Sequence, residues 1–176
     1  MQLGVHFALT EAQASRFLAA RGNDAALTAL IDELEESSNT TPTCSTDKAW
    51  DPISCALAPS GSERDPDDWP YTGVIVGWEE LQHGVGKQAE DESESESEMT
   101  LGYTPPDKVK EVAAALLELK EDDEFGDAYA AMPQELRNAE YGDEERRYAQ
   151  ANLDDLTEFF MDAAARGLHV IFHVNL

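Results

Sequence analysis

Three histidines are the residues of this sequence whose chemistry best suits a metal ion. His169 and His173 lie on one side of an alternating stretch at the end of the chain, and His6 lies in a similar stretch at its start. If the two stretches form neighbouring strands, we expect the three imidazoles on one sheet face, where neutral nitrogens could bind zinc or another transition metal. Residues four apart on a strand are about 13 Å apart, however, so one ion does not reach both His169 and His173 without distortion. We therefore predict neither a metal nor another cofactor, and name these histidines as the candidates if one binds.

A second group of chemically capable residues lies in segment 47–57, which reads Asp-Lys-Ala-Trp-Asp-Pro-Ile-Ser-Cys-Ala-Leu. Apolar residues recur at helical spacing from Trp50 onward, which predicts a short helix that buries the indole. Asp47 precedes this helix and is expected to cap its first turn. Two interpretations stay open. Asp47 and Lys48 frame a core tryptophan, or they line a pocket or partner-binding site together with Trp50 and Ser54.

The sequence contains no recognisable arrangement for nucleophilic catalysis or phosphate binding. Ser60 lacks the Gly-x-Ser-x-Gly elbow, and neither Cys44 nor Cys55 has a histidine near it in the sequence. Gly84 and Gly86 lack the third glycine and the helix start of a phosphate-binding loop. We therefore leave the catalytic residues unassigned and favour a non-catalytic protein over an enzyme.

The charge balance restricts the classes of partner. The chain has 37 acidic residues against 12 basic ones, a net charge of -25 at pH 7. Binding to phosphates depends on clustered Lys and Arg, so nucleic acid and anionic membrane surfaces are not expected as partners. Two explanations of the charge remain, which are solubility in a salty interior and a surface for a basic protein partner.

Length and cysteine content indicate one cytoplasmic domain. A chain of 176 residues is close to the roughly 100–200 residues of a single domain, and we treat residues 1–176 as one. The sequence shows no secretory signal pattern and no apolar run of the roughly 18 residues that a membrane span requires. Cys44 and Cys55 are its two cysteines, and in a reducing cytoplasm both are expected to be free thiols. The oligomeric state stays open.

The elements that must position these residues can be read from hydrophobic spacing. Alternation predicts a first strand over residues 3–9 and a last strand over 168–174, which follows a long amphipathic helix at 143–164. A further strand is predicted at 99–103. Apolar stripes predict other helices after Thr10, Asp24, Asp47, Pro105 and Glu124. These elements indicate an α+β domain with a small mixed or antiparallel sheet of about three or four strands, covered by five or six helices.

Three connecting segments differ in composition from these elements. Residues 37–45 are polar and are interpreted as a loop. The apolar run 74–76 between two glycines fits either a strand or a buried helical turn, because periodicity does not distinguish them at this length. Residues 87–98 are rich in Glu and Ser and are predicted to form a solvated acidic insertion.

The segment around Trp50 resembles the YfbM-like family of bacterial proteins of unknown function. The family pattern at this point is Asp-Lys-x-Trp, two residues, an aliphatic residue, a His, and an apolar run that ends in a small polar turn. Ser54 stands where that pattern has its His. The matching residues are Asp47, Lys48, Trp50, Ile53, Leu57, Ser60 and Gly61.

A second segment resembles the same family. The predicted strand that ends in Tyr103 runs through Thr104 and Pro105 into a Val-Lys-Glu-Val-Ala helix, with one residue fewer than the family pattern before the Thr-Pro pair. With the closing helix and strand, the resemblance spans most of the chain and implies a single YfbM-like domain. Because the function of that family is unknown, the resemblance implies no substrate.

Two functional hypotheses follow from these observations. The first is a non-catalytic acidic protein-binding domain of the immunity or inhibitor type, which would associate with a basic protein in a salt-sensitive manner. The second is a small enzyme or ligand-binding protein with a pocket near Trp50, Asp47 and Lys48.

Overall fold

The computed structural model describes residues 3–59, 66–82, 99–136 and 142–175. The predicted acidic insertion at 87–98 lies outside these ranges, as do Ser60 and the glycines at 84 and 86. Within the described residues, no helix combines the length and the apolar character needed to cross a membrane.

The described residues form five strands, seven α-helices and two short 3₁₀ turns. The strands are β1 (Leu3–Leu9), β2 (Thr43–Asp47), β3 (Glu79–Gln82), β4 (Met99–Thr104) and β5 (His169–Asn175). The helices are α1 (Glu11–Ala19), α2 (Asp24–Glu36), α3 (Trp50–Leu57), α4 (Thr72–Ile75), α5 (Pro106–Glu121), α6 (Phe125–Ala131) and α7 (Gly142–Ala165). The 3₁₀ turns are Pro66–Asp68 and Gln134–Leu136. The α+β class is confirmed, whereas the expected three or four strands and five or six helices were each too few.

The strands form one sheet in the order β2-β1-β5-β4-β3, in which every neighbouring pair is antiparallel. The first and last strands of the chain are therefore neighbours, and they pair along seven residues from Leu3–Asn175 to Leu9–His169. Gly167, at a φ of 64°, turns the chain from α7 into the last strand.

Helices cover both faces of this sheet and bury a separate core on each. On one face, α1 and α2 pack against the sheet. The core between them includes Phe7, Phe17, Leu27, Ile31, Leu101 and Ile171. The core on the other face lies between the sheet and helices α3 to α7. It includes Ala8, Ile53, Val112, Leu156, Phe160 and Phe172. Both surfaces of the central strands are therefore buried, as in a three-layer arrangement.

Two of the predicted connections contain regular structure. Strand β2 starts inside the segment 37–45 that was interpreted as a loop. It lies at the edge of the sheet, and its polar sequence, Thr-Cys-Ser-Thr-Asp, is typical of edge strands. The apolar run 74–76 forms the end of α4 and its C-cap, Val76, and not a strand, and the other edge strand, β3, follows it. These short polar edge strands account for the strands that the sequence pattern missed.

The first helices begin as capping chemistry predicts, with one correction. The Thr10 hydroxyl accepts a hydrogen bond from the Gln13 backbone N–H, and the Gln13 side chain accepts one from the Thr10 N–H, which completes the capping box. Asn23 and not Asp24 caps α2, because the Asn23 side chain accepts from the backbone N–H of Ala26.

His6 is completely buried in β1 on the face covered by α3 to α7. Its Nε2–H donates to the backbone carbonyl of Val74 in α4 at 2.7 Å. The centroid of its ring lies 4.8 Å from that of Phe172, 6.0 Å from that of Phe159 and 5.9 Å from that of Phe160. Burial lowers the pKa of His6 to about 4, although the hydrogen bond to Val74 acts in the opposite direction. The imidazole is therefore uncharged at neutral pH, and its hydrogen bond connects the sheet to α4.

We expect His6 to make the fold sensitive to acid. Between pH 6.5 and pH 4 the unfolded chain binds a proton at His6 that the folded protein does not, so the unfolded state is favoured as the pH falls through this window. The loss approaches about 3 kcal/mol near pH 4, and there is no such effect above about pH 7.

The variant His6→Gln keeps a donor for Val74 but does not titrate, so its free energy of unfolding should fall less on acidification. Urea denaturation of both proteins at pH 7 and pH 4.5 measures the difference. Part of the slope remains in the variant, since burial also lowers the pKa of His173. Equal losses of stability in the two proteins would contradict the prediction.

Candidate functional site

The turn between β2 and α3 is built by the Asp-Lys pair of the Trp50 segment. Asp47 has a φ of 48°, a left-handed conformation that turns the chain at the end of β2. The backbone N–H of Ala49 then donates to the carbonyl of Thr46 at 2.8 Å. Asp47 does not cap α3 as predicted, because Ala49 occupies the N-cap position and no side chain bonds to it. The left-handed turn directs the Asp47 side chain away from the helix.

Trp50 is a packing residue and not part of an open pocket. Its ring lies 6.1 Å from that of Phe172 and covers Gly4 of β1, where an added Cβ would be 2.7 Å from the indole. Beside it, the buried Thr46 hydroxyl donates to the Gly4 carbonyl at 3.2 Å. The close approach of three chain segments at Gly4 therefore fixes the position of the turn that precedes Trp50.

A cleft of about 540 Å³ lies beside this turn, between the start of α3 and the start of α7. We call it the α3–α7 cleft. The residues that line it are Lys48, Asp51, Pro52, Leu136, Glu144, Glu145 and Tyr148. Of the predicted site residues, Lys48 therefore lines the cleft and Asp47 borders it, whereas Trp50 points into the core.

Tyr148 connects the first turns of α7 to the turn before α3. Its hydroxyl donates to Asp47 Oδ2 at 2.8 Å and accepts from the backbone N–H of Lys48. Partial burial raises the pKa of Tyr148, and the hydrogen bond and negative charge of Asp47 raise it further, so the phenol stays protonated at neutral pH. Tyr148 is thus a hydrogen-bonded wall of the cleft and not a nucleophile.

The chemical character of the cleft is acidic with an exposed apolar rim. Among the described lining residues, the acids Asp51, Glu144 and Glu145 outnumber the one base, Lys48. Glu145 also accepts a hydrogen bond from the Tyr129 hydroxyl at 2.7 Å. At the rim, Leu136 is 44% exposed and Tyr148 is 40% exposed. An arrangement of carboxylates around exposed apolar surface suits a positively charged binding partner that also has an apolar part.

Ser54 and the two cysteines lie outside the lining of this cleft. Ser54 is half-buried in α3, and its backbone carbonyl accepts from the N–H of Ala58 at the helix end. Cys44 and Cys55 are free thiols. Burial raises the pKa of each to about 11, with a further contribution from Asp155 at Cys44 and mainly from Asp51 at Cys55. Neither thiol is therefore ionised at neutral pH, which excludes both as activated nucleophiles.

The three histidines do not converge. His6 is paired with Phe172, whereas Val5 is paired with His173, so His6 lies on the opposite sheet face from His169 and His173. The expectation that all three share one face was wrong, although their strands are neighbours. In the ranges that the structure describes, no group of three His, Cys, Asp or Glu side chains could hold a metal ion.

His169 instead belongs to a hydrogen-bonded array that the sequence did not indicate. Its Nε2–H donates to Glu11 of α1 at 2.8 Å, and its Nδ1 accepts from the Tyr103 hydroxyl of β4 at 2.8 Å. Burial raises the pKa of Tyr103, helped chiefly by the charges of Glu79 and Glu11. Tyr103 and His169 are both buried, whereas the Glu11 side chain is 84% exposed. The array therefore connects α1 to two strands, and its carboxylate end is in contact with solvent.

Sequence reasoning missed most of the cleft because its residues come from three separate segments. Leu136, Glu144 and Glu145 are far from Lys48 in sequence, and Tyr148 fits the apolar stripe of α7. The proximity of α3 and α7 depends on tertiary packing, and the only local signal was the charged pair beside Trp50.

Comparison with known proteins identifies the domain. A family model described as "Domain of unknown function (DUF1877)" matches residues 1–173. Among solved structures, the chain is similar to the protein of unknown function YfbM from Escherichia coli, with a TM-score of 0.61 and 12% sequence identity over 98% of this chain and 99% of that chain. At this identity the likeness shows the fold alone. No curated protein matches the sequence. These matches confirm the YfbM-like resemblance of the Trp50 and Tyr103 segments.

We expect the hydrogen bond between Tyr148 and Asp47 to stabilise the wall of the cleft. Tyr148→Phe removes the donor, and Asp47→Gly removes the acceptor while it keeps a residue that tolerates a φ of 48°. In a double-mutant cycle, the paired variant should lose about 0.5–1.5 kcal/mol less stability than the sum of the single variants. Urea denaturation measures the three losses.

Tyr129→Phe provides the matched control for this cycle, because the Tyr129 hydroxyl bonds to Glu145 and not to Asp47. Its loss of stability should add to that of Asp47→Gly within about 0.5 kcal/mol. Additive losses for the Tyr148 and Asp47 pair would show that their hydrogen bond contributes nothing to the fold.

Proposed function

The chain belongs to the DUF1877 family, whose description names no activity, and we propose that it is a non-catalytic domain that binds a basic protein at the α3–α7 cleft. The observation that carries the proposal is the combination of exposed Leu136 and Tyr148 with the carboxylates of Asp51, Glu144 and Glu145. Protein interfaces commonly place aromatic and apolar side chains at the centre and charged side chains around them.

The acids of the cleft are available to a partner. Among the described residues, no salt bridge joins a basic side chain to Asp51, Glu144 or Glu145. Arg146, which lies close to these acids on α7, pairs with Asp143 at 3.7 Å. Added to a net charge of -25, these acids make the surface attractive to cations over a distance and favour rapid association with a basic protein.

An arginine side chain from the partner matches the cleft best. Its planar guanidinium can bond to two carboxylate oxygens at once and can stack on an aromatic ring such as that of Tyr148. An adjacent apolar residue of the partner would cover Leu136. The supporting observations for a non-catalytic role are the pKa values of about 11 at Cys44 and Cys55 and the raised pKa of Tyr148, which leave these groups protonated.

Charge reversal in the cleft tests this proposal. We expect Glu144→Lys to abolish capture of a basic protein from an extract of the source cells at low salt, because it places a like charge against the partner. Capture by the wild-type protein should weaken as salt is added. Bound proteins are identified and compared by quantitative mass spectrometry.

Glu158→Lys is the matched control for this experiment. It makes the same charge change on the same helix, about 20 Å from Glu144 at a rise of about 1.5 Å per residue. The partner should be captured by the wild type and by Glu158→Lys but not by Glu144→Lys. Equal losses in the two variants would assign the association to net charge and not to the cleft. No partner at any salt concentration would refute the binding role.

A second candidate function is a small enzyme or ligand-binding protein that uses the same cleft, near Trp50, Asp47 and Lys48. Its volume of about 540 Å³ favours this alternative, because small-molecule sites typically measure about 300–1,000 Å³. Lys48 would bind an anionic group of the ligand, and Glu144 on the opposite wall would bind a cationic one. A zwitterionic molecule such as an amino acid or short peptide matches this pair of charges.

A thermal-shift screen of zwitterionic metabolites separates the two candidates. A true ligand at about ten times its Kd stabilises the folded protein by about 1.4 kcal/mol and should raise the Tm by about 3–6 °C. Lys48→Ala should remove the shift but leave the unliganded Tm within about 1 °C, since Lys48 is exposed and forms no described salt bridge. A screen in which no compound changes the Tm would eliminate this alternative.

A further inference from the structure

Two tryptophans and a carboxylate surround a lysine ammonium on a surface that the cleft does not use. The indole rings of Trp69 and Trp78 meet edge to face, 5.0 Å apart with an interplanar angle of 77°. Lys108 Nζ lies 4.5 Å from the centroid of Trp78 and 5.7 Å from that of Trp69. Glu111 binds Lys108 Nζ at 2.9 Å and accepts a hydrogen bond from the indole N–H of Trp69. We call this group the tryptophan cage.

We propose that the tryptophan cage is a binding site for methylated ammonium groups and that Lys108 occupies it in the absence of ligand. Aromatic faces attract cations, and quaternary ammonium groups are well suited to them because their methyl groups contact the rings while the charge is retained. The ammonium of Lys108 already shows that a cation fits between the indoles and Glu111. This inference is independent of the function proposed for the α3–α7 cleft.

The backbone at Trp78 is fixed without help from Lys108. The Trp78 N–H donates to the carbonyl of Tyr103 in β4 at 2.9 Å, and Gly77 precedes it at a φ of 84°. At Gly77 an added Cβ would lie 3.0 Å from the Tyr103 backbone nitrogen, so the chain is tightly packed there. Trp78 nevertheless remains 45% exposed, so a rigid backbone presents a large aromatic surface to solvent.

Packing holds Trp69 equally firmly. An added Cβ at Gly73 would lie 2.8 Å from Trp69 Cζ3 and 2.5 Å from Val112, which shows how closely α4 and α5 enclose the ring. Trp69 also packs against the core on the sheet face that α3 to α7 cover. Both rings should therefore keep their positions when Lys108 leaves, and a preformed cage loses little freedom on binding.

Lys108 is held by the two indole faces and by an ion pair with Glu111, and the ion pair contributes little to this attachment. Its side chain is 23% exposed and its carboxylate partner, Glu111, is 45% exposed and one helical turn away. Such pairs on a helix surface are weak and are screened by salt. A primary ammonium also regains strong hydration when it moves into water, whereas a quaternary ammonium is poorly hydrated and loses less on entering the cage. Exchange therefore favours the methylated cation.

Tetramethylammonium chloride is the probe that tests the site. In the NMR spectrum of the ¹⁵N-labelled protein, we expect it to shift the indole N–H signals of Trp69 and Trp78 but not that of Trp50, with saturation in the millimolar range. Sodium chloride at equal ionic strength should shift none of the three. Choline and a trimethyllysine amide, titrated in parallel, show whether a small metabolite or a modified side chain is the better source of the ammonium group.

Variants separate the site from non-specific attraction of cations. Lys108→Ala should bind tetramethylammonium at least threefold more tightly than the wild type, because the competing ammonium is gone. Lys110→Ala makes the same charge change on the same helix and should leave the affinity unchanged. Trp78→Leu in the Lys108→Ala background should abolish binding, and the Tm of each variant confirms that it is folded.

Two results would overturn the inference. One is equal affinity of the wild type and Lys108→Ala, which would show that the lysine does not occupy the ligand position. The other is binding by Lys108→Ala with none by the wild type, which would show that Lys108 is a permanent part of the structure and not an exchangeable occupant.

Discussion

The pairing of the first strand with the last holds the sheet together. β5 lies between β1 and β4, so it joins the pair β2–β1 to the pair β4–β3. Leu3 is paired with Asn175, and the contact therefore closes a loop of almost the whole chain. The entropy cost of closure grows only logarithmically with loop length, and it is offset because both faces of the joined sheet bury apolar cores. Both cores therefore depend on the sheet that this pairing completes.

The same constraint explains which parts of the fold were readable from the sequence. β1, β4 and β5 are central strands with many β-branched and aromatic residues, and the amphipathic helices that cover them carry clear apolar stripes. Edge strands β2 and β3 are short and polar and carry no such signal. The histidine prediction failed for a related reason. Because helices cover both faces of the sheet, both sides of each central strand are largely apolar. The alternation of residues could therefore not show that His6 faces Phe160 while His173 faces α2.

The candidate site was predictable only in its local part. The Asp-Lys-x-Trp segment indicated a charged turn beside a core tryptophan, and Lys48 does line the α3–α7 cleft. The other wall could not be inferred, because Tyr148 satisfies the apolar periodicity of α7 equally well whether it faces the core or Asp47. A left-handed Asp47 was not expected either, since the sequence favoured a cap. Tertiary contacts decided both points.

The acidic charge acts differently on the two proposed sites. In the α3–α7 cleft a partner adds positive charge to carboxylates that have no described salt bridge, so association relieves repulsion and is screened by salt. In the tryptophan cage a ligand exchanges one cation for another beside Glu111, and the charge in contact with the rings is unchanged. Selectivity there depends on hydration and fit to the indoles. On these two proposals, the same acidic protein would bind one partner by net electrostatic attraction and a second ligand by shape and hydration.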